Sequence, residues 1–174
     1  YNYRRAEVVK AQPNAAHLGL VALEEWFDVI IITQNIDDLH ERAGSSKIVH
    51  LHGEILKMRS EHDSDLIYPI VGDILLGDTA EDGAQLRPHI VWFGEAVPMI
   101  ELAADITSMA DVFVVMGTSL QVYPAAGLLH YTQAGIPTFV VDKKLPAVTG
   151  LSNLVQIEAP ATLGIVQLTQ QLQA

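Results

Sequence analysis

The chain has 174 residues, 49% of them hydrophobic, and carries 21 acidic against 10 basic side chains for a formal net charge of −11. That length and apolar content suffice for one substantial core and one compact domain, and so acidic a surface repels a phosphate backbone, so no nucleic-acid partner is expected. The absence of cysteine rules out a disulfide framework and any thiolate metal centre, and leaves the redox compartment open.

Tyr1 to Lys10 is charged and helix-compatible. Pro13-Asn14 is a stop and restart, with Asn14 as the candidate N-cap of a second helix, Ala15 to Trp26, on which Ala16, Leu20, Leu23 and Phe27 recur at helical spacing. Val29 to Thr33 reads as a strand whose unbroken apolar run implies burial on both faces, the pattern of a parallel sheet covered by helices. It ends abruptly in Gln34, Asn35, Asp37 and Asp38, which is how a buried strand delivers polar side chains to the carboxyl edge where open α/β sheets bind ligands.

Asp37 to Ala43 predicts a short helix stopped by Gly44, and Ile48 to Leu51 the next strand, with Ile55 to Met58 extending the region. Between Ser60 and Leu86 stand seven carboxylates and no Lys or Arg, marking an inserted, solvated segment whose spacing matches no calcium loop. Leu102, Ile106 and Met109 share a helical face, and Val112 to Met116 forms a second buried strand opening into the small-residue turn Gly117-Thr118-Ser119. Pro124 to Ala134 reads as a helix closed by Gly135, Thr138 to Val141 as a strand ending in Asp142, Leu154 to Ile157 as the last strand and Thr162 to Gln171 as the last helix. The alternation predicts a doubly wound, Rossmann-like parallel sheet with helices on both faces. Val112 to Val141 lacks charged residues, but Gly117, Pro124, Gly127, Gly135 and Pro137 interrupt it too often for a membrane span. No basic stretch followed by an apolar one opens the chain, so no signal peptide is expected.

His50 and His52 lie two apart, and on a continuing strand they project to one face. Three readings stay open for them: chelation of a metal with His40 or Asp37, a general base tuned near neutrality, or histidines satisfied within the core. Gln34, Asn35 and Asp37 offer amides and a carboxylate suited to a ribose or a carboxamide, or simply cap a strand end.

Thr33-Gln34-Asn35-Ile36-Asp37, His50-Leu51-His52-Gly53-Glu54, Val91-Trp92-Phe93-Gly94-Glu95 and Gly117-Thr118-Ser119-Leu120 with Val122-Tyr123-Pro124 together resemble the sirtuins, NAD-dependent protein lysine deacylases. The resemblance runs from Tyr1 to the carboxyl end and is weakest in the acidic insert. It implies a reaction in which the acyl-lysine carbonyl oxygen attacks the ribose carbon bearing nicotinamide, a histidine deprotonates the ribose hydroxyls, and the sugar takes the acyl group. On that resemblance His52 is the general base and Asn35, with Gln34, positions ribose and water. Ile36 and Asp37 face the nicotinamide carboxamide, and Gly117, Thr118 and Ser119 form the turn on the phosphates and adenosine ribose. Asp142 stands where the family usually has Asn at that ribose, and Ala161 is an adenine contact. Val91 and Phe93 line the acyl-lysine tunnel, while Gly94 and Glu95 grip the substrate peptide as an added strand. Tyr1 and Arg4 resemble the Tyr-x-x-Arg pair of the branch that removes succinyl and malonyl groups, where a guanidinium pairs with the distal carboxylate.

The same resemblance marks departures. The family's Gly-rich phosphate loop and the adjoining cofactor loop are not found in these residues, so residues 1–174 are expected to be an amino-terminally incomplete catalytic domain. The four zinc-ligand cysteines are absent too, so residues 60–86 are expected to replace the zinc module without metal. A cytoplasmic, bacterial-type, zinc-free enzyme is the leading expectation. A non-catalytic NAD or ADP-ribose binding module and a hydrolase using metal held by His50 and His52 are the alternatives.

Overall fold

A computed structural model describes residues 1–118, 120–148 and 150–173. The parallel strands fall into two groups, β1 (Ile31–Thr33) beside β2 (Ile48–His50), and β6 (Phe113–Met116), β7 (Thr138–Asp142) and β8 (Leu154–Glu158) in that order. The helices are α1 (Asn2–Lys10), α2 (Ala15–Leu23), α3 (Leu39–Ala43), α4 (Ile100–Ser108) and α5 (Ala161–Leu172).

Strand β7 shows why the β6–β8 sheet needs cover on both sides. Phe139 and Val141 project into a core with Leu23 of α2 and Ile165 and Leu168 of α5, while Val140 between them projects the other way, onto Val115 and Leu129. Helix α5 comes very close to the sheet at Gly164, where any Cβ would collide with the Val141 side chain. A third core, of Leu51, Ala103, Ala125 and Leu128, takes in Ile32 from β1 and Phe113 from β6. Side-chain packing thus joins the two parallel groups, since β1 and β6 do not pair with each other.

The local signals explain most element ends. The Asn14 side chain accepts from the amides of Ala16 and His17 at 2.9 and 3.4 Å, and His17 Nδ1 accepts from the Asn14 amide at 3.2 Å, closing a capping box around the start of α2. Gly44, at φ +107°, ends α3. Arg42 of α3 donates to Ala11 O (2.6 Å) and Val8 O (2.9 Å), tying α3 to the carbonyl end of α1.

Two expectations are corrected. Residues 53–90 form a separate antiparallel sheet in the order β4 (Ile67–Pro69), β3 (Gly53–Ser60), β5 (Leu86–Ile90), which the charged Lys57, Arg59 and Arg87 had obscured as strands. Pro124 to Ala134 does not make an α-helix but a 3-10 segment, Ala125–Tyr131, that buries Ala125, Ala126, Leu128 and Leu129. On α4 the buried residues are Ala103 and Thr107, whereas Leu102 is 46% and Met109 69% exposed. Small side chains bring that helix close, and Thr107 Oγ1 satisfies itself on Ala103 O at 2.7 Å. Among the described residues no helix is long and apolar enough to cross a membrane.

Segment 60–86 is tied down by polar bonds of its own. Ser60 Oγ donates to Asp82 Oδ2 (2.6 Å), and the Gln85 amide donates to Leu75 O (2.9 Å) and Asp78 O (3.0 Å) while accepting from Gly77 N (2.8 Å). Helix α1 is fastened to the same region. Arg5, wholly buried, donates through Nε to Ile55 O (2.8 Å) and through Nη1 to Gly72 O (3.0 Å) and Asn2 Oδ1 (3.0 Å), while Asn2 exchanges two hydrogen bonds with Ile74. Arg5→Met keeps the volume but strands the buried Ile55 carbonyl and frees the Gly72 carbonyl and Asn2, and is expected to cost about 2–4 kcal/mol. In thermal melts that reads as a fall in Tm on the order of 5–10 °C, and a shift under about 1 °C would contradict the clamp.

Candidate functional site

At the carboxyl end of β1 the buried Thr33 turns the chain, its hydroxyl accepting from the Asn35 amide at 3.0 Å. The segment after it is then laid against residues 51–55: Leu51 N donates to Thr33 O (2.9 Å) and Ile55 N to Ile36 O (2.7 Å). Between those two bonds the half-buried His52 ring places Nδ1 3.0 Å from Gln34 O. A carbonyl can only accept, so Nδ1 carries the proton and Nε2 is left with its lone pair. The backbone of His52 is fixed from the other side, its carbonyl accepting from Val91 N at 2.9 Å. Gly53 makes this possible: it sits at φ +78°, and a Cβ there would run into the carbonyl of His89.

Gln34 also reaches the second parallel group, its amide nitrogen lying 3.3 Å from Thr118 Oγ1. Next to Thr118, Gly117 holds φ +66° and its amide donates to Val141 O (2.9 Å), with no side chain to obstruct an approaching group. Ser119 lies outside the described residues. Beyond it Leu120 adopts φ +54°, a left-handed conformation that costs a non-glycine residue on the order of 1 kcal/mol or more and collects at ligand-binding turns. A cavity of about 410 Å³ opens there, lined by Leu120, Gln121, Asp142, Lys144, Leu145, Pro146 and Ala147. Asp142, at the end of β7, spends one carboxylate oxygen on Lys144 N (3.0 Å) and its carbonyl on Ala159 N (3.0 Å), two residues before Ala161 opens α5.

The structure therefore brings Gln34, His52, Val91 and Thr118 together directly, and sets Gly117, Asp142 and Ala161 along the adjoining strand ends. Asn35 is exposed beside them, its carbonyl 3.3 Å from His50 Nδ1, and Ile36 and Asp37 are half-buried, Asp37 accepting from Leu39 N at 3.1 Å. Phe93 stands fully in solvent, and Gly94 at φ +90° is exposed too. Glu95 is engaged within the protein: Arg87 grips both of its oxygens at 2.7 and 3.1 Å and Trp92 N donates at 2.9 Å, which holds its carboxyl below the usual carboxylate range. Tyr1 stacks on Trp92, ring centres 6.3 Å apart and planes 13° from parallel, with the Arg4 guanidinium 5.7 Å from the Tyr1 ring centre.

Gln121, Lys144 and Leu145 went unnoticed in the sequence because they belong to loops; their one signal is that each follows the carboxyl end of an apolar strand. The joint projection of His50 and His52 is corrected: β2 stops at His50, a turn follows, and the rings go separate ways. His50 Nε2 meets Glu41 at 2.6 Å. Among the described residues the group whose ligand atoms lie within 4.8 Å of one another is Glu41, His50 and Glu54, with neither His52, His40 nor Asp37 in it. A metal held by His50 and His52 thus lacks its expected donor set.

Behind the site the His17 and His40 rings pack with centres 4.7 Å apart, and His40 Nδ1 is buried without a partner. Burial first, then proximity to His17, lowers the His40 pKa against the raising pull of Asp37 and Glu41; burial lowers those of His17 and His89. Below the usual histidine value of 6.5 the unfolded chain takes these protons and the folded chain resists them, so stability falls as pH drops through that region and is kept above it. His40→Gln is expected to flatten the fall of Tm between about pH 7.5 and 5.5, and melts with the same slope in both proteins would contradict this.

Residues 1–124 match the Sir2 family. An NAD-dependent protein deacylase of Bacteroides thetaiotaomicron is 48% identical over 179 residues, an alignment covering 99% of this chain and 76% of that protein. One of Helicobacter pylori is 51% identical over 144 residues, 83% of this chain and 63% of the relative. Among solved structures, a Sir2 homologue in complex with NAD superposes with a TM-score of 0.87 at 32% identity, over 99% of this chain and 70% of that one. Sir2Tm bound to a propionylated peptide gives 0.81 at 30% identity, over 96% and 74%. On the extent of these matches, the chain belongs to the Sir2 family.

Proposed function

We propose that this protein removes acyl groups from protein lysines at the expense of NAD, releasing nicotinamide and forming O-acyl-ADP-ribose. The observation that carries the reading is the His52 Nδ1 to Gln34 O hydrogen bond of 3.0 Å, which fixes the tautomer and leaves Nε2 free to take a proton. When bound, NAD supplies the ribose carbon from which nicotinamide departs and the hydroxyl that receives the acyl group. The residues present suit it. Gln34, Asn35 and Thr118 offer hydrogen-bonding groups for a ribose, Gly117 without a side chain leaves room for a phosphate to approach the turn, and Asp142 in the wall of the adjoining cavity suits the hydroxyls of a nucleoside.

In this arrangement His52 Nε2 takes the proton of a ribose hydroxyl, and the Gln34 carbonyl steadies the imidazolium that results. Asn35 positions the ribose and a water molecule; Ile36 and Asp37 face the carboxamide. Ser119 and Ala161 complete the adenosine side. Val91 forms the tunnel wall next to His52, and Phe93, free in solvent, swings onto the acyl-lysine when the peptide is present. The peptide joins at Gly94 and Glu95 as an added strand. Residues 1–174 supply the Rossmann-like part of the catalytic domain, in which the bonds of Gln85 and Ser60 brace segment 60–86 in place of a zinc module. The cytoplasm, where NAD meets acylated proteins, is the proposed place of work.

Acyl preference follows from Tyr1 and Arg4. Tyr1 stacks on Trp92, immediately after Val91, and Arg4 lies over Tyr1, a guanidinium and a phenol suited to the carboxylate end of an acyl chain. Succinyl-lysine and malonyl-lysine are therefore the favoured substrates over acetyl-lysine. His52→Asn is expected to lower kcat for O-acyl-ADP-ribose formation by about 10²–10⁴-fold with NAD binding by calorimetry retained. NAD binding without nicotinamide release in the unmutated protein would indicate a binding module instead. Arg4→Met is expected to lower kcat/KM for a succinyl peptide at least about tenfold relative to acetyl, and comparable turnover of both peptides, unchanged by the substitution, would sink the preference.

A further inference from the structure

Arg59 of β3 and Arg87 of β5 stand directly opposite each other in the antiparallel sheet. Two like charges at such a pair repel, and Glu95 lies between them: 2.7 Å from Arg87 Nη1 and 3.9 Å from Arg59 Nη2. The carboxylate does more than neutralise. It takes Arg87 in a bidentate grip and accepts from the Trp92 amide, so one group fixes both the guanidinium and the backbone that carries the indole. The result is a guanidinium only 3.5 Å from the Trp92 ring centre, a close cation–π stack.

Trp92 then meets Tyr1 ring to ring, and Arg4 lies over Tyr1. The Tyr1 and Arg4 side chains make no hydrogen bond to other described residues, and Tyr1 is 48% exposed. A side chain so placed keeps its rotamer freedom unless a flat surface limits it, and that freedom must be lost when ligand binds. Arg5 fixes the helix on which Tyr1 and Arg4 lie, but it leaves their side chains unsettled.

We propose that Trp92, held flat by Arg87 and Glu95, is a positioning residue for acyl selectivity: it is the platform that orders Tyr1, and through Tyr1 the Arg4 guanidinium, for an acyl chain ending in a carboxylate. This rests on the carboxyl-acyl reading of Tyr1 and Arg4. The contact order Glu95, Arg87, Trp92, Tyr1, Arg4 carries the rigidity of the antiparallel sheet out to an exposed pair of side chains. Trp92 touches no reacting atom, so its effect falls on recognition of the acyl end.

The test measures KM and kcat for succinyl-lysine and acetyl-lysine forms of one peptide, using the full-length protein and its Trp92→Ala, Trp92→Phe, Tyr1→Ala, Arg4→Met and Trp92→Ala/Tyr1→Ala variants. Trp92→Ala is expected to lower the succinyl-to-acetyl ratio of kcat/KM about five- to tenfold through KM for the succinyl peptide, as fits the loss of an aromatic stack. Trp92→Phe keeps a flat ring and retains most of the ratio. On the Tyr1→Ala background, Trp92→Ala changes the ratio no further, because its action passes through Tyr1. A ratio that falls again on that background, or equal losses on both peptides in Trp92→Ala, overturns the platform. If Tyr1→Ala and Arg4→Met shift the ratio while Trp92→Ala does not, the platform alone is overturned. If Tyr1→Ala and Arg4→Met leave the ratio unmoved, the carboxyl-acyl reading fails and takes the platform with it.

Discussion

One hydrogen bond, from the His52 imidazole to the Gln34 carbonyl, holds the candidate site in register. It joins two chain segments that leave neighbouring parallel strands, and it does chemical work as well as structural work, because the acceptor dictates which ring nitrogen is protonated. Backbone bonds on either side, Leu51 to Thr33 and Ile55 to Ile36, keep the ring where that contact forms. Gly53 permits the turn, and Val91 secures the histidine carbonyl. In the proposed role of His52 as general base, a ring set among fixed backbone groups needs little reorganisation.

The rest of the fold arranges partners around that bond. The β6–β8 sheet, sandwiched between α2 and α5 on one face and the 3-10 segment on the other, presents Gly117, Thr118 and Asp142 at its carboxyl edge. The Gln34 to Thr118 contact and the shared packing of Ile32 and Phe113 bring that edge to the histidine without strand pairing between β1 and β6. The antiparallel sheet does a different task. Its strand β5 carries Arg87, which grips Glu95 beyond the strand end, and its strand β3 fastens α1 through the Ile55 carbonyl and Arg5.

Much of this was legible in the residues because some signals are local. Asn14 before an apolar helix, Gly44 after a short one, and the abrupt end of Ile31-Ile32-Thr33 in amides each specify their surroundings within a few positions. The motif resemblance then joined Gln34, His52 and Thr118, which no periodicity could have done. What stayed hidden depended on tertiary contacts. Lys57, Arg59 and Arg87 disguise their strands by breaking the apolar pattern, though most of the facing residues, Ile67, Pro69 and Pro88 among them, are apolar, and α4 buries Ala103 and Thr107 rather than its larger residues because close approach favours small ones. The separation of His50 from His52 turned on where β2 stops, and the cavity walls at Gln121 and Lys144 come from loops that carry no pattern.

The most direct measurement of the account is a product analysis by mass spectrometry, with NAD and one acyl-lysine peptide incubated with the full-length protein. A sirtuin-type deacylase forms one O-acyl-ADP-ribose and one nicotinamide for each lysine freed. Release of free carboxylic acid without consumption of NAD would contradict that account and return the site to hydrolytic chemistry.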